Sequence, residues 1–167
     1  SFRPEPEPAR VREAAQLLST AQRPVIVAGG GVTSSGAQRE IVELAEMLSI
    51  PIATSLNAKG AVPEDHRLAV GVVGSYSRRP ANQVVSEADM VVFVGSHTGS
   101  QATLDWTIPA MGTPVIQIDI DPSELGRNYS VAAALQGDAK ASVRRLIEAS
   151  EPTTDRGTWV DRTRQLV

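Results

Sequence analysis

Several short stretches of this chain are apolar at almost every position rather than at alternate ones, and that feature restricts the fold most. They are Val25-Ile26-Val27-Ala28, Ile52-Ala53-Thr54, Met90-Val91-Val92-Phe93-Val94 and Val115-Ile116-Gln117-Ile118-Asp119-Ile120. A strand with one wet face alternates; a strand covered on both faces need not, and such strands lie parallel between two helix layers. The intervening segments carry helical spacing: Val11, Ala14, Ala15 and Leu18; Ile41, Leu44, Ala45 and Leu48; Ala81, Val84, Val85 and Ala88; Val143, Leu146 and Ile147. The stretch 55–74 is loop-rich around a brief apolar piece at 68–73, and 131–135 offers a last strand. The expected class is α/β: a doubly wound, mostly parallel, five- to six-stranded Rossmann-like sheet with helices on both faces.

Punctuation sets the boundaries. Pro4, Pro6 and Pro8 read as an extended linker over 1–8, because each fixes its own backbone and removes a donor. The folded domain is expected over 9–150. Beyond Glu151 the chain is polar until Trp159, then a short helix to Val167; this stretch reads as a second linker, with Trp159 free to dock on a neighbouring domain. Ser34 or Ser35 is positioned to cap the second helix, Pro80 suits a first helical turn, and Asp138 caps the last long helix. Asp121-Pro122-Ser123-Glu124 has the form of a capping box.

Several classes of function fall away. With no cysteine there is no disulfide, thiolate metal site or cysteine nucleophile. A net charge of -3 leaves no basic footprint for nucleic acid or an anionic membrane surface. No apolar run approaches the ~20 residues that span a bilayer. A cytoplasmic location is expected.

In a doubly wound sheet, ligands bind beyond the carboxyl ends of the strands. Gly29-Gly30-Gly31 follows the first strand there. A dinucleotide fingerprint would need glycine or alanine where Ser34 stands and an acid where Thr54 and Ser55 stand; a P-loop would need Lys and Ser/Thr where Ala37 and Gln38 stand. Two readings therefore stand, a tight strand-to-helix turn and a phosphate cradle. Gly71, Gly74, Gly95 and Gly137-Asp138 recur at matching places, so a groove for an extended ligand is one expectation. Asp119 is the stronger acidic candidate for ribose hydroxyls, since capping already explains Asp121. His66 and His97 lack metal-ligand spacing and read as turn residues. Ser96, Ser100 and Thr103 near His97 lack a nucleophile elbow. Arg78-Arg79 reads as a solvated pair at a helix start, and Trp106 as a packing residue.

Five stretches, taken in order, resemble the central domain of thiamine-diphosphate enzymes of the acetolactate synthase type. They are Arg23-Pro24-Val25-Ile26 with its glycines; Thr54-Ser55-Leu56-Asn57-Ala58-Lys59-Gly60; Pro63-Glu64-Asp65-His66 with Gly71 and Gly74; Ala88-Asp89 through Gly95; and Ile118-Asp119 through Asn128 with Gly137-Asp138. The resemblance implies a three-domain parent that binds thiamine diphosphate and Mg2+ and acts on a 2-oxo acid as a homodimer or homotetramer. Its activating glutamate and its Gly-Asp-Gly motif with a downstream Asn belong to N- and C-terminal domains of the same chain. Here Gly137-Asp138 is followed by Ala139, so the chain is expected to be inactive in isolation, with both linkers leading to the missing domains. The resemblance also implies a groove holding FAD or ADP. By position its residues are Gly30, Gly31, Thr54, Leu56, Gly71, Gly74, Gly95, Asp119 and Asp138. One departure bears on this: acetolactate synthases carry a basic Arg-Phe-Asp-Asp-Arg run after Gly95, whereas Ser96 to Gln101 has no cation at neutral pH. That removes a charge-assisted contact to a diphosphate, and an empty groove is the other expectation. A stand-alone nucleotide-binding module is the alternative function; an NAD-dependent deacylase is set aside for want of zinc-binding cysteines.

Overall fold

The computed structural model describes residues 2–74, 79–96, 103 and 108–167. Helix α1 (Pro8–Thr20) leads into β1 (Pro24–Ala28), a short α2 (Gly30–Ser35), α3 (Gln38–Leu48) and β2 (Ile52–Thr54). After a 3-10 turn at Leu56–Ala58 come β3 (Ala69–Val72), α4 (Arg79–Glu87) and β4 (Met90–Val94). Next are β5 (Val115–Asp119), a 3-10 turn at Pro122–Glu124, β6 (Ala133–Gln136), α5 (Ala139–Ala149) and α6 (Gly157–Leu166). The strands form one six-stranded sheet in the order β3-β2-β1-β4-β5-β6, and every pairing is parallel. The order reverses between β1 and β4, which is where such sheets place ligands.

Burial explains why the inner strands are apolar throughout. Ile26, Val92, Val94, Ile116 and Ile118 point into a core completed by Leu18, Leu44, Val143 and Leu146 from α1, α3 and α5. Their neighbours Val25, Val27, Val91, Phe93 and Val115 point the other way, against Val84 and Val85 of α4 and Trp159 of α6. Gln117, on this second face, is 2% exposed. Its amide donates to the Glu124 carbonyl and accepts from the Gly126 amide, so the loop after β5 satisfies both ends of it.

Some local expectations are corrected. Neither Ser34 nor Ser35 is the N-cap of the helix that follows it: Gly29 is the N-cap of α2 and Ala37 that of α3, both without a side-chain bond. The Ser34 hydroxyl donates to the Gly30 carbonyl, and the Ser35 hydroxyl accepts from the Lys140 amide. Asp121 caps only a 3-10 turn, and Glu124 turns to Arg127 instead of closing a box. Trp159 is buried within this domain, its indole N–H donating to the Pro24 carbonyl at 2.8 Å. Segment 2–7 also has contacts of its own. Pro6 is buried, Arg3 pairs with Asp138, and Glu5 pairs with Arg145. Asp138 caps α5 as expected, accepting from the Ala141 amide. Trp106, Arg78, His97 and Ser100 lie outside the described residues.

Candidate functional site: the carboxyl rim of the sheet

The fold brings the sequence candidates to one rim, because all the parallel strands end on the same side. Gly30 and Gly31 open α2 after β1, Thr54 ends β2, and Leu56 starts the turn beyond it. Gly74 follows β3, Gly95 follows β4, Asp119 ends β5, and Asp138 follows β6. Gly71 is different, because it lies inside β3. The register slips there, with Ile52 opposite Ala69 and Ala53 opposite Gly71. Gly71 takes φ of 100°, so this edge-strand bulge accounts for the glycine.

At the switch point the two central loops touch backbone to backbone. The Gly29 amide donates to the Val94 carbonyl at 2.8 Å, and the Gly31 amide donates to the Gly95 carbonyl at 2.9 Å. A Cβ on Gly29 would lie 2.5 Å from the Gly95 carbonyl oxygen, one on Gly31 2.7 Å from the Gly95 Cα, and one on Gly95 2.6 Å from the Gly31 Cα. Of the two readings of the glycine run, close loop contact therefore accounts for Gly29, Gly31 and Gly95. Gly30 is the open position: a Cβ there would meet only the Asn57 Cβ, at an ordinary 3.5 Å. The loops after β1 and β4 are therefore in direct backbone contact at Gly29, Gly31 and Gly95.

Both acidic candidates hold backbone or side-chain partners. Asp119 is 5% exposed, and its carboxylate accepts from the Asp121 amide at 2.9 Å. Asp138 both caps α5 and meets the Arg3 guanidinium at 3.0 Å, while its own amide donates to the Pro4 carbonyl. The Gly74 amide donates to the Asn82 side-chain oxygen, and the Asn82 side chain returns a bond to the Gly74 carbonyl, tying the end of β3 to α4.

Two exposed apolar side chains stand on the rim, Leu56 after β2 at 55% and Ile120 after β5 at 56%. Ile120, expected within the strand, instead lies just past its end at Asp119 and stands on the rim. Among the described residues no group of three or more histidine, aspartate or glutamate side chains is placed to hold a metal. His66 is occupied locally: its Nδ1 accepts from the Leu68 amide and its Nε2 faces Glu46 at 2.8 Å. Thr103 is buried; Ser75-Tyr76-Ser77 and the run 97–101 lie outside the described residues. Among the described residues, no helix is long and apolar enough to cross a membrane.

Comparison with known proteins assigns the family. The family model described as thiamine pyrophosphate enzyme, central domain, matches residues 11–146. A probable acetolactate synthase large subunit of Methanocaldococcus jannaschii is 40% identical over 161 residues, covering 95% of this chain and 27% of that protein. An acetolactate synthase of Mycobacterium bovis is 36% identical, with 85% and 23% covered. A glyoxylate carboligase of Escherichia coli O157:H7 is 32% identical, with 90% and 26% covered. A solved thiamin diphosphate-dependent enzyme structure from Mycobacterium smegmatis superposes with a TM-score of 0.74 at 30% identity, covering 93% of this chain and 30% of that one. The chain thus spans about a quarter of the length of the curated relatives it matches. It belongs to the thiamine pyrophosphate enzyme central-domain family and is similar to acetolactate synthases within it.

Proposed function

We propose that this chain is the central, scaffolding domain of a thiamine-diphosphate- and Mg2+-dependent carboligase or decarboxylase of 2-oxo acids, and that its rim holds FAD or ADP as a structural ligand. The observation that carries the reading is the pair of coverages: 95% of this chain aligns to 27% of an acetolactate synthase relative. The rim residues do not fit thiamine diphosphate or its metal. Asp138 is spent on a helix cap and on Arg3, and Ala139 follows it. Those groups therefore bind in other domains of the same chain, the isolated domain is inactive, and no catalytic step is assigned to its residues. An extended nucleotide suits the rim better, with open backbone at Gly30, a buried carboxylate at Asp119 and exposed apolar contacts at Leu56 and Ile120. Thr54, Gly31, Gly74, Gly95 and Asp138 shape that groove from behind. In this reading the parent is a cytoplasmic homodimer or homotetramer.

The test is calorimetric and kinetic together. The purified chain is unfolded thermally with FAD, ADP or NAD added, and assayed for pyruvate consumption with thiamine diphosphate and Mg2+ present. FAD or ADP at a hundredfold over its dissociation constant adds about 2.7 kcal/mol of stability, and pyruvate is not consumed. Turnover by the chain alone would overturn the scaffolding assignment; no stabilisation by FAD or ADP would overturn the ligand assignment.

A further inference from the structure

At the opposite pole, where the strands begin, the last elements of the chain wrap round the sheet. Between α5 and α6 the chain runs past the carboxyl end of α3. There the Thr153 amide donates to the Met47 carbonyl, and the Ser49 hydroxyl donates to the Thr153 carbonyl. Next comes Arg156, 5% exposed, whose guanidinium donates to three carbonyls: Ala21 at 3.0 Å, Leu48 at 2.6 Å, and Leu18. Leu18 and Ala21 belong to the end of α1, and Leu48 is the last residue of α3. Helix ends leave carbonyls without intrahelical partners and carry partial negative charge, so one planar cation serves two helices at once. Immediately beyond, Trp159 enters the core on one face of the sheet and Val160 the core on the other. Arg162 grips Glu87 with two nitrogens, at 3.1 and 2.9 Å.

We propose that residues 150–166 form a clasp, pinned by Arg156, that closes the amino pole of this domain and opens as a unit while the six-stranded sheet stays intact. The clasp contributes no strand, so the sheet ladder is complete without it. A cleft of about 670 Å³ undercuts it; Thr153, Asp155 and Thr158 stand on the clasp side, with Ser19, Gln22 and Arg23 opposite. A terminal segment bordered by a solvent-filled cleft and held at a few buried anchors can open below the global free energy. Arg156 concentrates the closing force, because its three bonds come from one charged donor buried away from water.

Hydrogen exchange on the chain tests this, comparing wild type with Arg156→Met and Arg156→Lys. Loss of three charge-assisted bonds raises exchange across the clasp amides roughly a hundredfold or more, while β4 and β5 keep their protection. Arg156→Lys gives an intermediate effect, because one ammonium cannot reach all three carbonyls. In a Trp106→Phe background the Trp159 emission of Arg156→Met moves to the red. Unchanged exchange over 151–166 would show that Arg156 is not the pin, and equal loss of protection in β4 and β5 would show that the clasp does not open separately. Should Arg156→Met fail to fold, wild-type exchange in low urea decides. A shared opening of 151–166 with a smaller urea dependence than the sheet supports the clasp; opening only with the sheet overturns it.

Discussion

Replacing Gly95 by alanine places a methyl group 2.6 Å from the Gly31 Cα, inside any tolerable carbon–carbon contact. The atoms it would meet are all backbone of Gly31, so no flexible side chain can swing aside. Gly95 also has φ of 61°, a left-handed conformation that costs an L-residue about 1–2 kcal/mol. Crowding in a filled space costs about 1–3 kcal/mol more, and the stiffer unfolded chain returns about 0.4–1 kcal/mol. The net expectation is a loss of about 2–4 kcal/mol. In urea, with a slope near 2 kcal/mol per molar, the midpoint falls by about 1–2 M. Gly36→Ala is the control: φ there is 70°, and a Cβ meets nothing within 4 Å. It isolates the backbone term, and its cost is about 1 kcal/mol or less. Circular dichroism at 222 nm, read against urea for both variants and wild type, gives the two losses side by side. Equal losses for Gly95→Ala and Gly36→Ala would refute the reasoning, because the switch-point loops would then have room between them.

Two further outcomes follow from the same geometry. Asp138→Ala removes the cap of α5 and the partner of Arg3 together, lowering stability by about 1–2 kcal/mol in the same urea assay; Arg3→Ala, which leaves the cap, costs less. The hydrogen bonds from Arg162, then those from Gln83, hold the Glu87 carboxyl below its ordinary pKa. A depressed carboxylate pKa contributes stability that is complete above the unfolded value and is lost as pH falls through the folded one. The gap in urea midpoint between wild type and Arg162→Gln therefore narrows as pH is lowered from about 6 towards about 3; a gap that stays constant would remove the ion pair as its cause.

The sheet was legible because its signal is local. Each inner strand carries its two-sided burial in its own letters, as in Met90 to Val94, and each helix carries its inner face in its own spacing, as in Ile41, Leu44, Ala45 and Leu48. The rim was legible for a related reason, since parallel strands put all their following turns on one side. What escaped was satisfied over long distances. Nothing around Arg156 announces that its partners are carbonyls at positions 18, 21 and 48. The polarity of 151–158 resembles that of a linker although its backbone is bonded to α3 and its arginine is buried. Prolines near the start suggested an extended segment, and sequence spacing could not show that Pro6 packs over Gly137. The glycine run was ambiguous for the same cause, because the contact that demands Gly29 and Gly31 comes from Gly95, far along the chain.

The kink at Gly71 has a consequence for how such molecules behave in a crowded solution. An outer parallel strand offers a row of unused donors and acceptors on which a second sheet can grow. In β3 the slipped register and the reversed φ at Gly71 interrupt that row after a few residues, so the border is a poor template for another chain to zip onto. Straightening it, by deleting one residue near Val70, would trade a small gain in local regularity for a surface prone to self-association.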